Sequence, residues 1–487
     1  MTEIFPSEIE LTHGPRPDET LSGLLVTVVA KAREIGFAET LTEGLNLPMK
    51  VYRYSHQNKI ETVIASIVVG CQHISEIQTR LVPDTVAASL FGLARFPDQA
   101  QVNLFLRACG PAQVEHLEGA HARLLGYHSR VGDRQLWATV GSAQPVRLLP
   151  VDLDQTSLAT QSTRATGAAK GYMGRKRSQY GYRKTVALLG GGVQEVLGVR
   201  LEPGDTHGQE SVPLVLGQLA DLLRLRGIAS RDVLMRGDSQ YGSAGTVRQF
   251  QAARHHYLVK GYTPRSAEHF ANTLPREAVW EAMGVDSYGN QLWVVDAGDQ
   301  ELRGHDDPPD LPPVRSRVVL LVRVGWRVRT KHGKGAPDQV REKVVSFEHY
   351  LTDLGADVLT PPEVIALYNG RETEESFFRA EQDAFGAHSL RTYHGPGEAV
   401  FLWILASTIN LLRWVQHSTF ADTPIENLGL TRLVTQVMRL PATITRTATT
   451  WIVSLPTLAR LVHALVHAWL TRAVQLPLPF KEGYSFG

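Results

Sequence analysis

Apolar residues recur at helical spacing through roughly the first 140 positions of the chain. Between Ser55 and Gly70 they return every three or four residues, which predicts an amphipathic helix that Ser55 is placed to cap. Another helix is predicted from Gln99 to Arg107, where amide and guanidinium side chains suit base edges in a DNA groove or simply a scaffold surface. We therefore expect a helical N-terminal region, in which the helix from Gln99 to Arg107 is a candidate DNA-binding element.

From Arg147 the pattern changes to short apolar runs that predict strands at Leu148–Leu153, Thr185–Leu189 and Val193–Val199. Gly190 to Gly192 separate the last two runs and indicate a hairpin turn, because the Lys-Ser/Thr of a phosphate-binding loop does not follow. A helix, a strand, a helix and a strand come next, at Val212–Leu225, Asp232–Arg236, Ala244–Ala253 and Tyr257–Lys260. This order is typical of an α/β sheet.

After Tyr262 the alternation stops, and strand-like runs with a proline-rich stretch predict a β-rich insertion. Helical patterning resumes at Pro361. The apolar segment Ala399–Leu412 is shorter than the roughly 20 residues that a membrane span requires, so we interpret it as a core helix. Two further helices are predicted after it. The expected regions are 1–144 (helical), 145–261 (first part of the α/β core), 262–357 (β-rich insertion), 358–420 (second part of the core) and 421–487 (C-terminal helical region).

Composition narrows the class of protein. With 43% hydrophobic and 20% charged residues the chain is expected to fold, and its two cysteines lack the spacing of a zinc module. The N-terminus shows no secretory signal and no membrane span is predicted, so we expect a cytosolic protein.

The net charge of +1 argues against DNA binding unless positive charge is local. A basic cluster interleaved with tyrosines offers groups for both phosphate and bases, although such clusters are also common on ordinary solvated surfaces. Its members are Lys170, Arg175, Lys176, Arg177, Arg183 and Lys184.

Three acidic positions suggest metal-dependent chemistry. Asp238 follows a predicted strand, a place where α/β sheets present catalytic groups, although a helix cap explains it equally well. Asp152 and Asp154 lie on one predicted strand and face the same side, so the pattern alone does not decide which of them is the metal ligand. Glu375 follows on a predicted helix. Carboxylates from separate elements are what a protein needs to hold Mg²⁺ or Mn²⁺ beside a phosphodiester.

Helix geometry tests the surroundings of Glu375. At about 100° per residue, five side chains of one continuous helix would fall within about 80° of one another and share a face. They are Tyr368, Arg371, Glu375, Arg379 and Gln382. The alternative is a surface helix in which Glu375 pairs with Arg371 and Arg379 for a few tenths of a kcal/mol each.

Taken together, these segments resemble bacterial insertion-sequence transposases with an Asp-Asp-Glu (DDE) triad and a Tyr-Arg-Glu-Lys (YREK) signature, the insertion sequence 4-like superfamily. Tyr368, Arg371 and Glu375 match the spacing of that signature. A threonine two residues after the first aspartate is common in the family, and Asp154 has it whereas Asp152 does not. Asp238 matches the second aspartate. Gln382 stands where the signature has lysine, and Arg379 lies close enough on the same face to replace it.

The resemblance implies an RNase H-like catalytic core interrupted by the β-rich insertion. It implies that Asp154, Asp238 and Glu375 bind two Mg²⁺ or Mn²⁺ ions and catalyse cleavage and strand transfer. Tyr368 and Arg371 are then contacts to DNA phosphate. The implied partners are double-stranded transposon ends and target DNA, bound by a homodimer at the nucleoid of a bacterial cytosol.

Relatives with this signature often stack an extruded base on a tryptophan of the insertion, for which Trp280, Trp293 and Trp326 are candidates, although each also suits a core position. Two alternative functions stay open. One is an RNase H-like nuclease that cuts without joining. The other is a decayed or adopted DNA-binding protein, which the intact acidic positions disfavour and Gln382 favours.

Overall fold

The structure, a computed structural model, describes residues 18–50, 53–173, 176–304, 307–331, 338–371, 373–447 and 451–455. Within these ranges the side chains of residues 176–177, 327–331, 338–341 and 373–375 lie outside the description.

A helical layer forms the N-terminal region after the short strand β1 (Glu19–Thr20). Its helices are α1 (Leu25–Glu34), α2 (Phe37–Thr42), α3 (His56–Val68), α4 (Thr85–Leu90), α5 (Gln99–Ala108) and α6 (Pro111–His128), with a π-helical turn at Ile77–Leu81. Both predicted helices are confirmed. Ser55 and Asn58 form a capping box at the start of α3, and the Asp98 carboxylate accepts the backbone N–H of Gln101 at the start of α5.

A mixed sheet of eleven described strands forms the centre of the protein. Its first strands are β2 (Ala138–Val140), β3 (Val146–Ala159), β4 (Ala169–Met173), β5 (Lys176–Leu189), β6 (Val196–Pro203), β7 (Val233–Gly237) and β8 (His256–Lys260). The three runs predicted as strands are confirmed as β3, β5 and β6, and β4 is an additional strand that the apolar pattern missed. Strand β3 pairs antiparallel with β5 and parallel with β7, and β8 is parallel to β7.

Two helices connect the parallel strands as the sequence predicts. Helix α7 (Gly208–Arg226) joins β6 to β7, and α8 (Ala244–Ala252) joins β7 to β8. Apolar residues of β3, β7 and both helices belong to one continuous core with the N-terminal helices. The chain is therefore an α/β protein, and β3 and β7 are adjacent at its centre.

The predicted insertion begins with a helix, α9 (Pro264–Thr273), and continues as β9 (Glu281–Val285), β10 (Gln291–Leu302), β11 (Val314–Lys331) and β12 (Asp338–Thr352). The predicted strands are present. They extend the central sheet, because β12 pairs antiparallel with β8 through residues such as Leu351 and Val259. The full path is β4-β5-β3-β7-β8-β12-β11-β10-β9, with β2 beside β3 and β6 beside β5.

The helix predicted to carry Tyr368 and Glu375 on one continuous face is broken, so that prediction was wrong. Helix α10 (Pro361–Asn369) ends at Gly370, and α11 (Thr373–Phe385) begins three residues later. An Asn-Gly pair favours such an end because both residues are weak helix formers. Arg371 lies in the turn and is buried, so it approaches the sheet and not the solvent face of a helix.

Helix α12 (Gly395–Ser418) contains the apolar segment that was predicted to be a core helix, and this prediction is confirmed. It is the one helix of the described chain that is long and apolar enough to cross a membrane, but 94% of its most apolar window is buried inside the protein. It packs against α6, β6 and α3. The length and apolar character of α12 are therefore explained by core packing.

The described part of the C-terminal region, residues 421–447 and 451–455, contains strands as well as helical turns, and the rest of the region predicted to be helical, up to residue 487, lies outside the described residues. After the helical turn α13 (Leu430–Arg432) and a π-helical segment at Leu433–Met438, strands β13 (Ala442–Arg446) and β14 (Trp451–Ser454) form a hairpin. Strand β1 pairs with β13 to complete a separate three-stranded sheet. The chain's beginning thereby supplies hydrogen-bond partners to the edge of a hairpin near its end, a long-range pairing that local patterning does not reveal.

Candidate functional site

Asp154 and Asp238 come from two adjacent parallel strands. Leu153 of β3 is the register partner of Gly237 of β7, so the two aspartates follow paired residues at the same end of the sheet. Asp238 ends its strand and turns the chain, because its carboxylate accepts the backbone N–H of Gln240 at 2.9 Å. The parallel pairing of β3 with β7 ends at this point, and the C-terminal end of a parallel strand is where α/β proteins bind ligands.

Tyr241 shows that the two carboxylates share one environment. Burial first, and then the negative charges of Asp154 and Asp238, raise the pKa of its phenol. The ring is fully buried, and its hydroxyl has no hydrogen-bond partner among the described residues. A polar atom left unpaired next to two carboxylates is expected where a hydrated ion or water completes the network.

Asp238 is partly buried and lies near two cations. Burial raises its pKa, whereas the backbone N–H of Gln240 and then the charges of Arg371 and Lys260 act in the opposite direction. Lys260 ends strand β8, the neighbour of β7, and is held by Glu348 at 2.8 Å. Positive groups therefore flank the aspartates, as a site for a polyanion requires.

Asp152 is not positioned like Asp154. Arg236 binds both of its carboxylate oxygens, with Nε to Oδ1 at 2.6 Å and Nη2 to Oδ2 at 2.7 Å, and both side chains are buried. The remaining nitrogen of the Arg236 guanidinium, Nη1, donates to the Leu367 carbonyl of α10 at 3.0 Å. This bidentate pair satisfies Asp152 internally, which favours Asp154 as the functional carboxylate of the strand.

Arg371 and Tyr368 adjoin the two aspartates. The Arg371 guanidinium donates to the Leu153 carbonyl at 3.3 Å, one residue before Asp154, and to the Tyr368 hydroxyl at 3.0 Å. It also lies 5.2 Å from the Tyr368 ring centroid. Tyr350 packs edge-on against Tyr368 at 4.8 Å and fixes that ring. The turn after α10 thereby brings Arg371 next to the residue that precedes Asp154 in β3.

Glu375 lies in the first turn of α11, which starts two residues after Arg371. Its side chain is outside the described set, and no group of three His, Cys, Asp or Glu side chains suited to a metal is found among those described. Arg379 and Gln382 are both exposed on α11. The structure thus places Arg371 near both Asp154 and Asp238, and α11 begins two residues after Arg371.

Comparison with protein families decides what class of enzyme this arrangement belongs to. Residues 148–411 match the family described as the Transposase DDE domain. The chain is a member of the DDE transposases. Comparison with curated proteins gives no match. Family membership makes the chain an enzyme that acts on DNA, and DDE transposases generally use divalent metal ions.

The basic cluster of this DDE transposase divides in the structure. Lys170 is exposed and lies 5.4 Å from the Tyr180 ring centroid, whereas Arg183 is partly buried and donates to Ser157 at 2.7 Å. Lys184 is buried and paired with Glu381 at 2.5 Å, so its ammonium does not face DNA and the surface role predicted for it needs correction. Arg175 lies outside the described residues, as do the side chains of Lys176 and Arg177.

The three tryptophans of the insertion occupy different environments. Trp280 is partly buried and packs against the main core. Trp293 is 38% exposed, and Trp326 is 59% exposed on the long β11–β12 hairpin. A core role therefore fits Trp280 best, and Trp326 presents the most accessible aromatic surface of the three.

Two residues of the transposase site escaped the sequence analysis. Lys260 appeared only as the end of a strand, and its approach to Asp238 depends on the parallel pairing of β7 with β8. Tyr241 carried no sequence signal of its own, and its burial near the two aspartates becomes evident only in the fold.

Proposed function

We propose that this transposase moves a DNA element by cut-and-paste transposition, using Asp154, Asp238 and Glu375 as one catalytic centre. The observation that carries the proposal is the adjacency of Asp154 and Asp238, which directly follow the last register pair of the parallel strands β3 and β7. Arg371 contacts the backbone beside Asp154, and α11 begins two residues after it. The expected DNA 3′-hydroxyl and phosphate chemistry needs such a cluster of carboxylates with flanking cations.

The strand arrangement supports an RNase H-like core. In the order β6-β5-β3-β7-β8, the first three strands are antiparallel and the last two run parallel to β3. The Tyr-Arg-Glu spacing supports assignment to the YREK class of the insertion sequence 4-like superfamily. Gln382, in place of the signature lysine, is exposed on α11, and Arg379 is exposed one turn earlier. We assign the missing positive contact to Arg379.

The carboxylate oxygens of Asp154, Asp238 and Glu375 are the hard donors that Mg²⁺ or Mn²⁺ prefers. Two such ions, once bound, would lower the pKa of the attacking water or hydroxyl and stabilise the leaving oxygen. The remaining work falls to the protein. Arg371 suits the bidentate recognition of a phosphate beside the scissile bond, and Tyr368 orients its guanidinium.

The DNA surface that we propose extends from the site along the exposed part of the basic cluster, beginning with Lys170. We assign Arg175, Lys176, Arg177 and Arg183 to the same surface on the sequence pattern. The helix α5 remains our candidate for recognising the ends of the element, since Gln99, Asn103 and Arg107 are exposed on it. We expect a homodimer that holds two ends at the bacterial nucleoid.

The test uses purified protein and labelled DNA carrying the element's ends. Asp154→Asn, Asp238→Asn and Glu375→Gln should each retain DNA binding and lose cleavage by at least about a thousand-fold, because each removes a charged ligand without changing side-chain size. Asp299→Asn, at an exposed position of β10, serves as the matched control. Cleavage that survives all three neutralisations would exclude this site.

Two alternatives give different outcomes in the same experiment. A nuclease without strand transfer would cut DNA but would not join precut ends to a target plasmid. A decayed DNA-binding protein would bind ends with no cleavage in either Mg²⁺ or Mn²⁺. The pairing of Tyr368 with Arg371 and the large β insertion favour a transposase over a nuclease without strand transfer, and the retained aspartates favour it over a decayed DNA-binding protein.

A further inference from the structure

Helix α11 is attached to the central sheet by an ion pair that the proposed chemistry does not use. Lys184 Nζ of β5 lies 2.5 Å from Glu381 Oε2 of α11. Both residues are buried, with 1% of Lys184 and 4% of Glu381 exposed to solvent. The same ammonium lies 5.5 Å from the ring centroid of Phe378, one turn earlier. A buried lysine with a single carboxylate partner defines where this part of the helix sits.

A second contact holds the helix near its start. Gln194 Nε2 donates to Ser376 Oγ at 2.9 Å, and Ser376 is the residue that follows Glu375. Gln194 ends the glycine turn of the β5–β6 hairpin with a left-handed φ of 54°, and Arg413 of α12 donates to its amide oxygen. The turn that the sequence pattern indicated as a plain hairpin therefore contacts the helix of the proposed third ligand.

Lys184 lies on β5, the strand beside Asp154, and Gln194 lies in the turn that follows β5. Asp154 lies opposite Val186 of β5, and Lys184, two residues away from Val186, shares its face of the sheet. Gln155 points to the other face, where it donates to Thr185 at 3.1 Å. The Lys184 ammonium thus reaches α11 from the face that carries the Asp154 carboxylate.

We propose that Lys184 and Glu381, with Gln194 and Ser376 as a second anchor, are positioning residues that set the location of Glu375 relative to Asp154. This inference rests on the proposed function, in which Glu375 is a metal ligand. The two anchors are separated by five residues, about 7 to 8 Å along the helix, and two fixed points define the tilt and rotation of a rigid rod. Metal ligands must be held to within about 0.5 Å, which such a clamp provides.

The competing explanation is that the pair only fills the core. A buried ion pair is weak evidence for stability, because desolvation offsets most of the attraction, and an apolar pair of similar size often stabilises a fold equally well. A double variant that keeps the volume of the two side chains but removes both charges therefore distinguishes the two explanations. Lys184→Met together with Glu381→Met is that variant, and the single changes are less useful because each leaves a buried charge unpaired.

The experiment measures, for the full chain, the melting temperature, DNA-end binding without metal, and cleavage as a function of Mg²⁺ concentration. We expect the double variant to have the melting temperature and the DNA-end affinity of the wild type. Its cleavage should be reduced, and the Mg²⁺ concentration for half-maximal cleavage should rise about ten-fold, which is typical for the loss of groups that orient metal ligands. Wild-type cleavage with an unchanged Mg²⁺ requirement would overturn the proposal. Arg200→Met with Glu118→Met removes a β6–α6 ion pair instead and should leave the Mg²⁺ requirement unchanged.

If the double variant does not fold, Ser376→Ala tests the positioning role through the second anchor. Ser376 is exposed and alanine is a strong helix former, so folding should persist while the Gln194 contact is lost. We expect a Mg²⁺ requirement raised about two- to five-fold, a smaller effect than full loss of a positioning group, and an unchanged requirement would reject the clamp. Glu375→Gln is measured in parallel. Its retained cleavage would refute the proposed function itself, whereas its inactivity beside a normal double variant refutes only the positioning role.

Discussion

Asp152 and Arg236 form a buried bidentate ion pair across β3 and β7, each two residues before one of the proposed catalytic aspartates. The pair joins register partners, so it aligns the two strands along their length. Because side chains two residues apart share a face, the pair also lies beneath Asp154. The Arg236 contact to the Leu367 carbonyl adds α10 to the same junction, and with it Tyr368 and Arg371.

Removing the arginine from this pair should strongly destabilise the fold. In Arg236→Met the Asp152 carboxylate would stay buried without its partner, at a cost of about 3 to 5 kcal/mol in the free energy of unfolding. Urea unfolding followed by tryptophan fluorescence measures the change. Arg224→Met removes the exposed pair with Asp221 and should cost less than about 1 kcal/mol. Equal effects of the two changes would mean that burial of the Asp152 pair has no energetic consequence.

Gly190 should tolerate no side chain, for a steric reason. A Cβ at this position would lie 2.7 Å from Asp152 Oδ2 and 2.8 Å from Arg236 Nη2, inside the buried pair. We expect Gly190→Ala to cost about 1 to 3 kcal/mol of unfolding free energy, as overpacked sites do. Gly217→Ala, in α7 where a Cβ meets nothing within 4 Å, should instead stabilise the protein by up to about 1 kcal/mol. A neutral Gly190→Ala would show that the hairpin turn can move away from the pair.

Local patterns predicted the elements of the α/β core well. The apolar runs of β3, β6 and β7 fill the core on both faces of the sheet, and such strands are visible in sequence as continuous hydrophobic stretches. The motif that includes Thr156 favoured Asp154 over Asp152, and the Arg236 pair gives an independent physical reason for the same choice. That reason was not available from sequence, since 84 residues separate the two partners.

Long-range contacts account for what the pattern missed. Lys184 looked like one more member of a basic surface cluster, and only the fold shows its carboxylate partner, 197 residues later in the chain. Helical periodicity suggested one helix through Tyr368 and Glu375, because at about 100° per residue both fall on one face together with Arg371. The break there lets Arg371 contact the Leu153 carbonyl, a tertiary interaction that outweighs local periodicity.

Glu398 should make the stability of the protein depend on pH. Complete burial in the first turn of α12 raises the pKa of its carboxyl to about 7, although the backbone N–H groups of Thr392 and Arg391 oppose this shift. The folded state therefore binds the proton more tightly than the unfolded state, and stability falls as pH rises from about 4.5 to about 7.

Glu398→Gln keeps an acceptor for both N–H groups and removes the charge. As pH rises through this window, we expect the free energy of unfolding of the variant to increase relative to that of the wild type. The difference should reach at most about 3 kcal/mol at pH 8. Chemical denaturation at a series of pH values measures the difference. Glu301→Gln, at an exposed position, should differ from the wild type by no more than about 0.5 kcal/mol throughout. A Glu398→Gln difference that is constant with pH would show that this carboxyl does not titrate in the window.

Lys170 should contribute to DNA affinity through phosphate, whichever sequence is bound. Its ammonium is exposed beside the Tyr180 ring, so it remains available to the backbone of a duplex. Lys170→Gln should weaken binding uniformly and reduce the slope of log affinity against log salt by about 0.9, the value for one released counterion. Arg224→Gln, which removes an equally exposed charge from the end of α7, should leave the slope unchanged. An unchanged slope for Lys170→Gln would place the DNA away from strand β4 and exclude this face from the proposed surface.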